Sequence, residues 1–203
     1  MKKDIETIEL TIKDEEDGVF AISLVGSPAI DEKFVALSKQ PMELKAIDDE
    51  KRIVVGYALV PDKPIYRKQE INGEVKEFNI MFSSDTVAKS SELFMKNLNL
   101  ANVTSEHEKP VQDCCVIESW ITEDEKADKI NLYDIKPIKG GWAIIMKLYN
   151  DEEYQKAKEG DYTGFSIEGL YEGFENLASK QMPTVKIEKT EEQKLQEIKN
   201  ILG

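Results

Sequence analysis

Gly160-Asp161-Tyr162-Thr163-Gly164-Phe165-Ser166-Ile167-Glu168-Gly169-Leu170 is the stretch on which the reading of this chain turns. Gly160 stops a helix. The residues after it alternate as a strand, with Phe165 and Ile167 facing one way and Gly164, Ser166 and Glu168 the other. Glycine weakens a strand and often marks a close approach by a ligand or another backbone, so two glycines around one serine suggest an accessible hydroxyl. A Gly-rich strand end with an incidental serine would leave the same trace.

Upstream of this strand the signals are mostly β. Residues 5–25 read as a hairpin, with Ile8, Leu10 and Ile12 alternating before the acidic turn Asp14-Glu15-Glu16-Asp17-Gly18, and Phe20, Ile22 and Leu24 after it. Residues 29–50 read as an ordered surface connection. Arg52-Ile53-Val54-Val55-Gly56-Tyr57-Ala58-Leu59-Val60 is nearly continuous apolar and is the best candidate for a buried central strand. Residues 65–71 and 75–82 around Asn72-Gly73 form a second expected hairpin. Ser84 or Asp85 is placed to cap a helix reaching Leu98. Residues 102–109 and 113–122 read as two strands joined through Pro110 in a hairpin or tight corner, the first holding His107 and the second Glu118. On that second strand Cys114, Val116, Glu118 and Trp120 share a face by simple alternation. Gly140-Gly141 introduces a strand over 142–149, and Asn150 with Glu153 begins the helix that Gly160 ends. Beyond Phe174 the expectations are a short β-like piece at 184–188 and a last helix from Thr190 with Leu195, Ile198 and Leu202 on one side. The fold class expected is α+β, a mostly antiparallel, partly closed, barrel-like sheet with a few helices around it, in one domain over 1–175 with a C-terminal extension over 176–203.

Composition narrows the function classes. The chain has 203 residues, 40% hydrophobic and 33% charged, enough for one ordinary core under a very polar surface. Its formal net charge of −13 would repel nucleic-acid phosphates. No apolar run approaches a membrane span, and Met1-Lys2-Lys3-Asp4 leads into no signal-peptide core, so a cytosolic protein is expected. Cys114 and Cys115 are neighbours that a strand would point to opposite faces, a poor disulfide or metal pair, and one histidine leaves little for a zinc site.

A hydroxyl attacks a carbonyl usefully when a base takes its proton and the oxyanion is stabilised. With a single histidine, a serine hydrolase with a histidine base must use His107 with Ser166. A surface or structural histidine beside Glu106, Glu108 and Lys109 is the plain alternative. Three carboxylates qualify to orient the imidazole: Glu118 first, because it stands on an apolar-looking face, then Glu188 and Glu168. The nucleophile elbow of α/β-hydrolases is excluded, because the second glycine of that motif is Glu168 here. Position 169 is Gly169, which excludes S-x-x-K.

Gly18-Val19-Phe20-Ala21-Ile22-Ser23-Leu24-Val25, Ser27-Pro28-Ala29-Ile30, residues 55–62 with Ile65-Tyr66-Arg67, Ser105-Glu106-His107, Glu118-Ser119-Trp120-Ile121, Gly141-Trp142 and residues 164–169 occur in an order and spacing that resembles the phage serine proteases of the XkdF type, over about residues 17–172. Those are similar to the prohead (capsid maturation) proteases of tailed phages and to herpesvirus assemblins. The resemblance implies a barrel-like core, frequent dimers, and an endopeptidase that cleaves scaffold and capsid-protein segments, and itself, inside the immature capsid in the bacterial cytoplasm. It carries the histidine onto His107 and the serine onto Ser166, with Glu118 or Glu188 as the carboxylate, and calls for no cofactor or metal. The chain departs from assemblins in lacking a second histidine and in having no arginines after the serine. The rival expectation is a non-catalytic capsid-assembly protein on the same fold.

Overall fold

The computed structural model describes residues 5–28, 35–36, 51–71 and 74–173. The expected 184–188 piece, the last helix, Glu188 and the C-terminal extension lie outside them, as does most of the 29–50 connection.

Among the described residues the fold is mostly β, with two α-helices and three sheets sharing one core. The best sequence signal, the apolar run at 53–59, is where it should be. Strands β1 (Thr7–Leu10), β2 (Gly18–Val25), β3 (Val35–Ala36) and β4 (Ile53–Leu59) come first, and β4 is buried along almost its whole length. It sits between β3 and β10 (Trp142–Leu148), and β10 in turn pairs β9 (Cys114–Ile121), all antiparallel. Two-sided burial explains the near-continuous hydrophobicity of β4 and of β10 up to Lys147, because neither face meets water there. Each fully buried aliphatic side chain in them contributes about 1.5–3 kcal/mol.

The second expected hairpin is present: β5 (Ile65–Ile71) and β6 (Glu74–Phe82) pair antiparallel with Ile71 opposite Glu74, residues 72–73 lying outside the described set. The first is not. β1 instead pairs parallel with β6, while β2 joins another sheet, in the order β11-β2-β7-β8. Here β7 is Val103–Ser105, β8 Lys109–Val111 and β11 Gly164–Leu170. The acidic segment between β1 and β2 is held by its own contacts: Lys13 and Asp14 N–H groups donate to the Asp17 carboxylate. It crosses between sheets instead of folding one strand onto the other. Among the described residues there are three mixed or antiparallel sheets and no closed ring, so the barrel-like expectation is not confirmed.

Helix α1 (Ser84–Lys96) is capped by Ser83, one residue before the expected caps, whose Oγ accepts from Thr86 N–H. It packs against β2, β9 and β10, with Phe94 edge-on to Trp142 at 5.3 Å. Helix α2 (Asp151–Glu159) follows the expected pattern, capped by Asn150 and ended by Gly160 at φ 89°. Gly160 thus delivers the chain directly into β11. None of the described helices is long and apolar enough to cross a membrane.

Candidate active site

The strand β11 is positioned by β2, its antiparallel partner, with Ser166 opposite Ser23 and Glu168 opposite Ala21. Residues directly opposite each other point to the same side of a sheet, so Ser166, Ser23, Glu168 and Ala21 share one face. Across β2 lies β7, parallel to it, with Thr104 beside Ser23. Glu168 reaches over Ala21, whose methyl group leaves the space, and accepts a hydrogen bond from Thr104 Oγ1.

His107 is brought to the same face by a tight turn. Glu108 N–H donates to the Ser105 carbonyl at 2.9 Å, and the two central residues, Glu106 and His107, have φ of 52° and 60°. Two consecutive positive φ values are the signature of a type I′ turn, which prefers Asn and Gly. A glutamate and a histidine held there carry backbone strain of the kind that clusters at functional sites. The turn is pinned to β2 and the residue after it by three bonds: Glu106 N–H to the Leu24 carbonyl at 3.0 Å, Gly26 N–H to Glu106 Oε1 at 2.7 Å, and His107 N–H to Ser23 Oγ at 2.9 Å. Its base is tied to α2 through Ser105, the Tyr162 hydroxyl (2.6 Å) and Glu153, to which that hydroxyl donates at 2.5 Å.

The imidazole of His107 meets Glu168: Nδ1 lies 3.2 Å from Oε1. An ionised carboxylate only accepts, so this bond calls for the proton on Nδ1, and in the neutral ring Nε2 is then the nitrogen with the lone pair. The bond to His107, ahead of the opposing effect of burial, holds the Glu168 carboxyl below the usual glutamate range, with Thr104 adding to it. Ser166 is 8% exposed, and its hydroxyl makes no hydrogen bond among the described residues. His107 and Ser166 therefore share a face and a common neighbour, Ser23, without being bonded to each other. The His107 side chain is 42% exposed, which leaves its ring room to turn.

Glu118, the carboxylate ranked first from sequence, is elsewhere. It stands on β9, in the other four-stranded sheet, and pairs with Lys129. The cause is a β-bulge: Ile145 is opposite Glu118 while Met146 is opposite Val116, so Ile117 is the extra residue and the alternation slips by one. Ser119 consequently turns inward, accepting from Trp142 Nε1 at 2.8 Å, and Glu118 turns out. Of the hairpin or tight corner expected at Pro110, the hairpin does not join 102–109 to 113–122. The hairpin is β7 with β8, tipped by His107, and β9 leaves for the other sheet. Ser23, Thr104 and Ala21 carry no sequence signal of their own, and only the register of three strands makes them neighbours of the site.

Among the described residues no group of three His, Cys, Asp or Glu side chains is arranged to hold a metal ion. Cys114 and Cys115 are free thiols, and burial pushes Cys114 up to about 11, well away from the thiolate a nucleophile needs.

A serine hydroxyl and an imidazole whose Nδ1 meets a carboxylate, on one sheet face, are groups that serine hydrolases also use. The chain belongs to the family of the putative phage serine protease XkdF, whose match covers residues 42–175 and so includes His107, Ser166 and Glu168. No curated protein and no solved structure matches the chain.

Proposed function

We propose that the chain is a serine endopeptidase of phage head maturation, with Ser166 as nucleophile, His107 as general base and then acid, and Glu168 as the orienting carboxylate. The observation that supports this best is the bond between His107 Nδ1 and Glu168, on the sheet face that Ser166 shares. It fixes the tautomer in which Nε2 accepts the serine proton. Ser166 Oγ attacks the scissile carbonyl carbon while its proton passes to Nε2. The tetrahedral intermediate collapses as His107 returns that proton to the leaving amine. Water, deprotonated by His107 in the same way, then hydrolyses the ester and frees Ser166. Thr104 and Ala21 act as positioning residues, the first by a bond to Glu168 and the second by leaving it a path. The ring of His107 closes on Ser166 when substrate is bound, as apo sites commonly tighten in the Michaelis complex.

The substrates in this reading are scaffold and capsid-protein segments, and the chain itself, inside the prohead in the host cytoplasm. The test is co-expression with the scaffold and capsid genes of the same phage, followed by intact-mass spectrometry of wild type and Ser166→Ala. Truncated products in the wild type and none in the variant are expected. Uncleaved partners in both, in particles that still assemble, would replace the protease by a structural capsid-assembly protein.

A further inference from the structure

A cavity of about 170 Å³ adjoins the site, walled by Leu59 of β4, Ile65 and Arg67 of β5, Phe82 of β6, and Ser166 and Ile167 of β11. Gly169 and Tyr171 line it as well, so the cavity lies mainly on the Ile167 side of β11 and reaches Ser166 at the strand edge that β2 leaves unpaired. That volume suits one side chain, since an apolar cavity of about 150 Å³ accommodates a benzene ring.

The walls are aliphatic and aromatic with one charge, Arg67. Its guanidinium donates to the Tyr66 carbonyl at 3.1 Å, and no carboxylate pairs with it among the described residues. It is half-buried, and desolvation holds it below the ordinary arginine value. A partly desolvated cation beside a cavity, given no carboxylate by the described residues, is suited to an anion brought by a ligand, because buried charges are ordinarily matched. Such an anion would stand on an apolar stem short enough for the cavity.

We infer that this cavity is the specificity pocket of the protease proposed above and that it takes a glutamate side chain flanking the scissile bond, its carboxylate paired with Arg67. The inference rests on that functional reading. The overall acidity of the chain does not oppose it. Repulsion from distant surface charges is screened beyond about 8–10 Å at physiological salt, whereas the contact with Arg67 is local and partly desolvated. A planar guanidinium also offers a carboxylate two parallel bonds.

The test uses the full chain on a proteome-derived peptide library, with cleavage sites read by mass spectrometry, and then on matched peptides carrying Glu, Gln or Leu at the selected position. Fluorophosphonate labelling of Ser166 is recorded in parallel. Expected are enrichment of Glu over Gln by at least about tenfold, a loss in Arg67→Gln that is far larger for the Glu peptide than for the Gln and Leu peptides, and its partial return in Arg67→Lys. Enrichment of apolar residues, or an Arg67→Gln loss of equal size for all three peptides, would overturn the pocket while a labelled Ser166 upholds the protease. An unlabelled serine with no cleavage would overturn both.

Discussion

At the residue scale the site depends on one proton's position. Glu168 accepts from Thr104 and His107, and the bond from the imidazole is the larger cause of its lowered pKa. A group whose folded pKa is depressed adds stability above its unfolded value and loses it as pH falls through the folded value. For Glu168 that contribution is present above about pH 4.3, the value of an unperturbed glutamate, and fades below it. Urea midpoints measured from pH 6 to pH 2.5 are therefore expected to differ between wild type and Glu168→Gln at the upper end and to converge toward the lower. A constant difference across the range would detach Glu168 from this account. Ser166 and His107 stand out in the sequence as chemistry-bearing candidates, because a lone histidine and a Gly-flanked serine are conspicuous. The carboxylate that meets His107 does not, since Glu168 ranks behind Glu118 and Glu188 on sequence. Glu118 looked inward on strict alternation, and a single bulge at Ile117, which no residue type announces, turned it to Lys129.

At the element scale β11 carries the site, and its geometry depends on how closely β2 approaches. The pairing has a bulge between Glu168 and Gly169, at the point where the serine face ends. A Cβ on Gly169 would stand 2.7 Å from the Gly18 carbonyl oxygen and 2.8 Å from the Tyr171 ring, so any side chain there must push the strands apart. Gly169→Ala is expected to cost about 1–3 kcal/mol in urea denaturation and to slow cleavage as Glu168 shifts; an unchanged midpoint would mean the strands have slack. The strands with strong, continuous apolar patterns, β4 and β10, were legible, as were α2 and the hairpin of β5 with β6. Pairing partners were less so. The hairpin expected from β1 and β2 had correct strands and the wrong neighbours, since alternation reports a strand's faces and is silent about its edges.

At the scale of the whole molecule the family match begins at residue 42, yet the strand on which the site is built, β2, lies at 18–25. β2 supplies Ser23 to the His107 turn, Ala21 beneath Glu168, and the whole hydrogen-bonded partner of β11. Its buried residues Ile22 and Leu24 are fully enclosed in the common core. A fragment over residues 42–203 is therefore expected to lose cooperative unfolding by circular dichroism, and a fragment that melts like the full chain would show β2 to be dispensable. The three-sheet arrangement was not legible from strand counts. Closure into a barrel and separation into packed sheets use the same alternating strands, and they differ only in which edges meet.

The central claim is that Ser166 is activated through His107 by Glu168. The most direct measurement is the rate at which a fluorophosphonate modifies Ser166 in wild type, Glu168→Gln, Glu118→Gln and His107→Asn, the last chosen because asparagine tolerates the positive φ of that turn. The account predicts a single adduct on Ser166 in the wild type, a rate lowered by about 10²–10⁴-fold in Glu168→Gln and His107→Asn, and no more than about a twofold change in Glu118→Gln. Equal rates in all four proteins, or an adduct at another residue, would contradict it.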